Sequence, residues 1–196
     1  MKKLFLALIT FSSLQLSAQV EELNQRTQLF LSEVEERFKA KSINGNEPDY
    51  SVLPETDFIQ HKYYQLKQIE KEVNELGNKV RPIYHLSTFA YEDDEELLYA
   101  LKFWFKNFIG DKRVMPGRDY RRVDHVVPTI IIIEKNYISI LTMSCYATDI
   151  EEFRQWRSDM LGVFGGPNSM VIEIGCDGPI EWTKNAPDPK DMKWRR

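Results

Sequence analysis

The spacing of apolar and polar positions changes several times along this chain, and each change marks an element. An apolar block begins at Thr129, and Ile130 to Ile133 is an unbroken β-branched run. Such a run reads as a strand buried on both faces. Glu134-Lys135-Asn136 follows, and Asn tolerates the positive φ that tight hairpin loops need. Tyr137 to Tyr146 is then expected to return antiparallel as a second strand. Thr148-Asp149-Ile150-Glu151 matches a capping box, with Thr148 as the cap and Glu151 reaching back. Ile150, Phe153, Met160, Leu161 and Phe164 recur at helical spacing. Gly165-Gly166-Pro167 stops that helix, Gly by accepting a left-handed cap and Pro by refusing to continue. From Met170 to Cys176 the apolar residues alternate, Met170, Ile172, Ile174 and Cys176 on one face, Val171, Glu173 and Gly175 on the other. Strand, helix and strand in succession favour a right-handed crossover, so a parallel pair is expected beside the hairpin.

The first half of the chain has longer periods. Val20, Leu23, Thr27, Phe30, Leu31, Val34 and Phe38 fall on one stripe, predicting an amphipathic helix from Val20 to about Lys41. Residues 42–54 are polar, carry Gly45, Pro48 and Pro54, and read as a loop. Ile59, Leu66, Ile69, Val73 and Leu76, with Tyr63 alongside, predict a second helix ending at Gly77-Asn78. Val80 to Tyr91 reads as a strand with Pro82 at its start. The acids from Glu92 to Glu96 suit the first turn of a helix, where they favour the dipole. That helix runs to about Ile109 and buries Leu97, Leu98, Leu101, Trp104, Phe105 and Phe108. Further short strand structure is expected over 179–183. The fold class is therefore α+β: one domain with a mixed β-sheet, a central hairpin and a βαβ crossover, covered by two N-terminal helices.

The N-terminus changes this picture. Met1-Lys2-Lys3 is basic, Leu4 to Phe11 is apolar, and Ser12 to Ala18 is small and polar. This is the build of a secretory signal peptide cleaved before Gln19. The division expected is a signal peptide over 1–18, an α+β domain over 19–184 and a flexible tail over 185–196. The apolar run is too short to span a bilayer, and no later segment is long and apolar enough. A soluble mature protein in the periplasm or outside the cell is expected. Losing Lys2 and Lys3 leaves 24 basic against 30 acidic residues, a formal net charge of −6. A mildly acidic chain argues against nonspecific nucleic-acid binding.

Export also bears on the two cysteines, Cys145 and Cys176. In an oxidising compartment a single disulfide is the natural reading. The alternative is two reduced thiols packed as small hydrophobes. On the expected parallel pair both would lie on the core side.

Candidate chemistry is sparse. No Gly-x-Ser-x-Gly elbow occurs, and the glycines from Gly162 to Gly166 follow a helix, the wrong order for a phosphate loop. His61, His85 and His125 are not at metal-ligand spacing, and no metal or other cofactor is called for. Asp124-His125 is the candidate acid–base element, with a surface turn as the alternative. The segment before it carries Lys112, Arg113, Arg118, Tyr120, Arg121 and Arg122. Its arginines suit a forked site for carboxylate or phosphate, with Tyr120 stacking inside; a solvated charged loop is the plainer account. The function expected is an exported, non-catalytic protein-binding protein of the bacterial cell envelope, of inhibitor or immunity type, whose partner is another protein. The other reading is a small envelope hydrolase using Asp124, His125 and the Arg113–Arg122 loop.

Overall fold

The computed structural model describes residues 2–44, 58–73, 77–109, 127–166, 168–176 and 179–183. Helix α1 (Lys2–Val34) leads to strands β1 (Phe38–Ser42) and β2 (Phe58–Gln68). A small ribbon of β3 (Glu72–Val73) and β4 (Lys79–Val80) precedes β5 (Ile83–Tyr91) and helix α2 (Asp94–Ile109). Then come β6 (Thr129–Glu134), β7 (Tyr137–Thr142), helix α3 (Ile150–Phe164), β8 (Met170–Ile174) and β9 (Ile180–Thr183). Seven strands form one sheet in the order β1-β2-β5-β7-β6-β8-β9. Every neighbouring pair in it is antiparallel.

Three layers result. On one face Phe89, Ile131, Ile138, Ile140 and Ile172 pack with Leu97, Ala100 and Leu101 of α2. On the other, Tyr84, Leu86, Ile130, Ile132 and Tyr137 meet Leu23, Phe30 and Val34 of α1 and Trp156, Met160 and Phe164 of α3. All six residues of β6 and all six of β7 are buried, as a strand covered on both faces requires. The turn between them places Lys135, not Asn136, at positive φ (52°). Asn136 contributes its side chain instead, donating from Nδ2 to the carbonyl of Tyr91.

Polar contacts fix α1 over this hairpin. Arg26 Nη1 donates to the carbonyls of Val163 (2.7 Å) and Gly165 (3.2 Å), satisfying the C-terminal end of α3. Its guanidinium also lies over the ring of Tyr137, 5.9 Å from the centroid. Glu22 meets both Arg26 and Lys135 at 2.9 Å. The hydrogen bond from Lys135, then that from Arg26, hold its carboxyl below the ordinary range against the opposing pull of burial.

Several expectations fail here for physical reasons. The second helix does not exist: its sequence forms β2, and the helical hairpin goes with it. Phe58, Ile59, Tyr63 and Tyr64 are strand-favouring residues, and both faces of β2 are partly covered, which blurs the alternation. The first helix ends at Val34, where Arg37 N closes a turn on Val34 O, 3.0 Å away. Phe38 is buried as expected, but from an edge strand, against Tyr84 and Trp156. The sheet is not mixed and contains no parallel pair. β7 and β8 run the same way, but β6 lies between them and is antiparallel to both. Asp149 caps α3 in place of Thr148, its Oδ1 accepting from Glu151 N (2.9 Å) and Glu152 N (2.8 Å). Gly165 ends that helix in extended backbone (φ −80°), with no left-handed cap.

Candidate functional site

The disulfide is present: Cys145 and Cys176 are bonded, with Cα atoms 5.9 Å apart. Cys145 lies three residues past β7 and Cys176 two past β8, so the bond ties two strand ends across β6. It is not on the core side. Cys145 is half-buried and Cys176 is exposed, because both follow the last paired residue of their strands.

Beside this bond lies a cleft of about 410 Å³ between the first turns of α3 and the end of β8 and β9. Pro128, Cys176 and Pro179 form one wall, Ile150, Phe153, Arg154 and Arg157 the other. Arg154 and Arg157 stand one helical turn apart, so they share a face of α3. Arg157 Nη1 donates to both oxygens of the buried Glu173 carboxylate, at 3.2 and 3.3 Å. Arg154 Nη1 meets Glu151 Oε1 at 2.7 Å on the open surface. The turn leading into α3 exposes Tyr146 (78%), and Ile150 is 65% exposed. Tyr146 in the turn before α3, and Arg154 and Arg157 in the first half of α3, are of the residue types enriched at interface anchors.

Two other places gather buried polar groups. On the opposite side of α3 a groove of about 640 Å³ is lined by Glu36, Glu70, Glu72, Glu151 and Glu152, with Arg37. Glu152 accepts from Tyr84 Oη (2.8 Å) and Trp156 Nε1 (3.3 Å), yet burial outweighs these bonds and raises its carboxyl. The same burial pushes the Tyr84 phenol well up. On the α2 side of the sheet, His61 stacks on Phe89, centroids 4.1 Å apart, and burial lowers its imidazole to about 4. Tyr63 Oη and His85 Nδ1 are 2.5 Å apart, and burial lowers His85 also. Among the described residues no group of three or more His, Cys, Asp or Glu is placed to hold a metal ion.

The residues singled out from sequence fare unevenly. Arg113, Arg118, Tyr120, Arg121, Arg122, Asp124 and His125 lie outside the described residues, as does the tail from 184. The chain re-enters at Val127-Pro128, and Pro128 lines the cleft. Ile150 recurs at helical spacing with Met160 and Phe164, which are buried, but is itself exposed at the first position of α3, where it lines the cleft. Trp156, fully buried, was missed; the signal was its spacing to Met160 and Val163.

Searches against protein-family models, curated proteins and solved structures find no match to this chain.

Proposed function

We propose that this is an exported protein-binding protein of the bacterial cell envelope, acting on another protein without catalysis, and that the cleft beside Cys145–Cys176 is its docking face. The observation that carries this is a concave surface beside the disulfide that Ile150, Arg154 and Arg157 line, with Ile150 exposed and Tyr146 exposed in the turn that follows Cys145. Large side chains that contribute little to the fold are free to contribute to a partner. Of the acids at the cleft, Asp149 and Glu173 are committed to a helix cap and an ion pair, and Glu181 is exposed at its rim. The leader-like sequence over 1–18 and the disulfide both fit an oxidising compartment. Among the described residues no helix is long and apolar enough to cross a membrane.

Capture from the protein's own cells with tagged mature chain, washed at low and then moderate salt, tests the reading. One stoichiometric partner surviving both washes, and lost with the Tyr146→Ala/Ile150→Asp pair, supports it. Each substitution is expected to weaken capture by about 1–2 kcal/mol, and to change stability by less than about 0.5 kcal/mol since both sites are exposed. Capture that survives the pair but is lost on replacing Arg118, Arg121 and Arg122 moves the face to the basic segment.

One observation favours a second reading, the small envelope hydrolase. Asp124 and His125 come four and three residues before Pro128 in sequence, and Pro128 lines the cleft. Hydrolysis that is lost with His125→Ala and retained with Tyr146→Ala would establish it.

A further inference from the structure

Gln19 is the residue that leader cleavage would leave at the N-terminus, and the structure holds it in an unusual setting. Its side-chain Oε1 accepts a hydrogen bond from Asn136 Nδ2 at 2.8 Å. Asn136 sits in the β6–β7 turn and is 5% exposed. Two contacts fix its orientation: Nδ2 also donates to the Tyr91 carbonyl, and its own carbonyl accepts from Tyr91 N at 2.9 Å. The Gln19 carboxamide thus faces a donor whose position is set by the sheet.

We propose that Gln19, once exposed as the N-terminal residue, cyclises to pyroglutamate, with Asn136 as the donor that polarises the carboxamide under attack; this rests on the export reading. The free α-amine attacks Cδ of its own side chain. A carbon–nitrogen bond forms, the side-chain amide bond breaks, and ammonia leaves with the proton shed by the attacking nitrogen. No oxidant, reductant or cofactor enters the balance. Negative charge develops on Oε1 during the attack, the atom to which Asn136 donates, so the contact is stronger in the transition state than in the starting amide. The product is also better placed. A free α-ammonium would sit at the positive end of the α1 dipole, whereas the lactam is neutral and keeps a carbonyl oxygen as acceptor. Glu21 and Glu22 then occupy the first turn, where acids are favourable.

The full chain, exported with its own leader and purified cold, is read by intact mass and N-terminal peptide sequencing. The expected species begins at residue 19 and is about 17 Da lighter than the Gln form, the mass of ammonia. Mature chain released from a fusion with a free Gln19 is then followed with time, folded and in urea. Cyclisation is expected to be about tenfold faster in folded protein, and about tenfold slower in folded Asn136→Asp, which loses the donor. Circular dichroism confirms that the variant is folded, and Asn136→Ala gives a second test without the added charge. A persistent free Gln19, or equal rates in folded, unfolded and Asn136→Asp protein, overturns the proposal. A terminus beginning at another residue overturns it too, and the sequence read there shows that the cleavage point failed rather than the cyclisation.

Discussion

At Gly166 an added Cβ would lie 2.9 Å from the carboxylate of Glu134. That carboxylate is buried and accepts from Ser169 Oγ at 2.5 Å, and Ser169 Oγ in turn accepts from Gly166 N at 2.5 Å. The side chain cannot move away without abandoning the Ser169 hydroxyl. Gly166→Ala is therefore expected to cost about 1–3 kcal/mol, read as a lower urea midpoint with an unchanged slope. His61 gives a second expectation at this scale. Its folded pKa, about 4, lies below the ordinary 6.5 because burial disfavours the cation. Between those values the unfolded chain takes up a proton that the folded chain refuses. The contribution is thus full above pH 6.5 and is lost as pH falls to about 4. For a half-buried ring the loss is discounted to about 1–2 kcal/mol. His61→Gln should flatten the dependence of stability on pH over that window; equal slopes for both proteins would refute the assignment. Residue-scale chemistry was the least legible part of the sequence. Gly166 reads as a helix stop from its neighbours, and nothing in the string shows that Glu134 fills the space beside it.

Elements were more legible, where the pattern was local. α2, α3 and the β6–β7 pair follow from caps, periods and a turn within a few residues of one another. Asp93 illustrates this: its Oδ1 accepts from Glu96 N at 2.9 Å, so the acidic run is a helix start. β2 was misread because its exposure is decided at long range. Tyr64 and Leu66 face α1 and α3, Tyr63 and His61 face the other way, and both sets find cover. A strand sheltered on both sides loses its two-residue period, and what remained resembled a helix. The disulfide belongs to this scale, since it joins the ends of two elements. The bond closes a loop with a sequence separation of 31 residues. A loop of that length corresponds to about 2–4 kcal/mol of stability. Replacing both cysteines with serine should lower the free energy of unfolding by that amount, and reductant should do the same to the parent chain. Two free thiols titrated in the untreated mature protein would contradict the bond.

At the scale of the whole molecule the α+β class was legible, and the order of strands was not. Handedness rules constrain strand–helix–strand units, but they do not say whether a third strand will slip between the two. Here β6 does, and a parallel pair becomes three antiparallel strands. The candidate docking face follows from that arrangement: Cys145 and Cys176 meet because β7 and β8 end on the same side of β6, and the cleft opens at that end. Loss of partner capture should accordingly accompany reduction of the bond, with Tyr146 and Ile150 unchanged. Retained capture in fully reduced, folded protein would detach the face from the bond.

The strand order also divides the chain in time. β1, β2 and β5 are contiguous in the sheet, and so are β7, β6, β8 and β9; the two sets meet only where β5 pairs with β7. A chain emerging from its N-terminus therefore completes three strands and then waits. Until residues 137–142 arrive, the inner edge of β5 carries unpaired backbone groups from His85 to Ala90. An unprotected edge of that length is a template for the wrong neighbour.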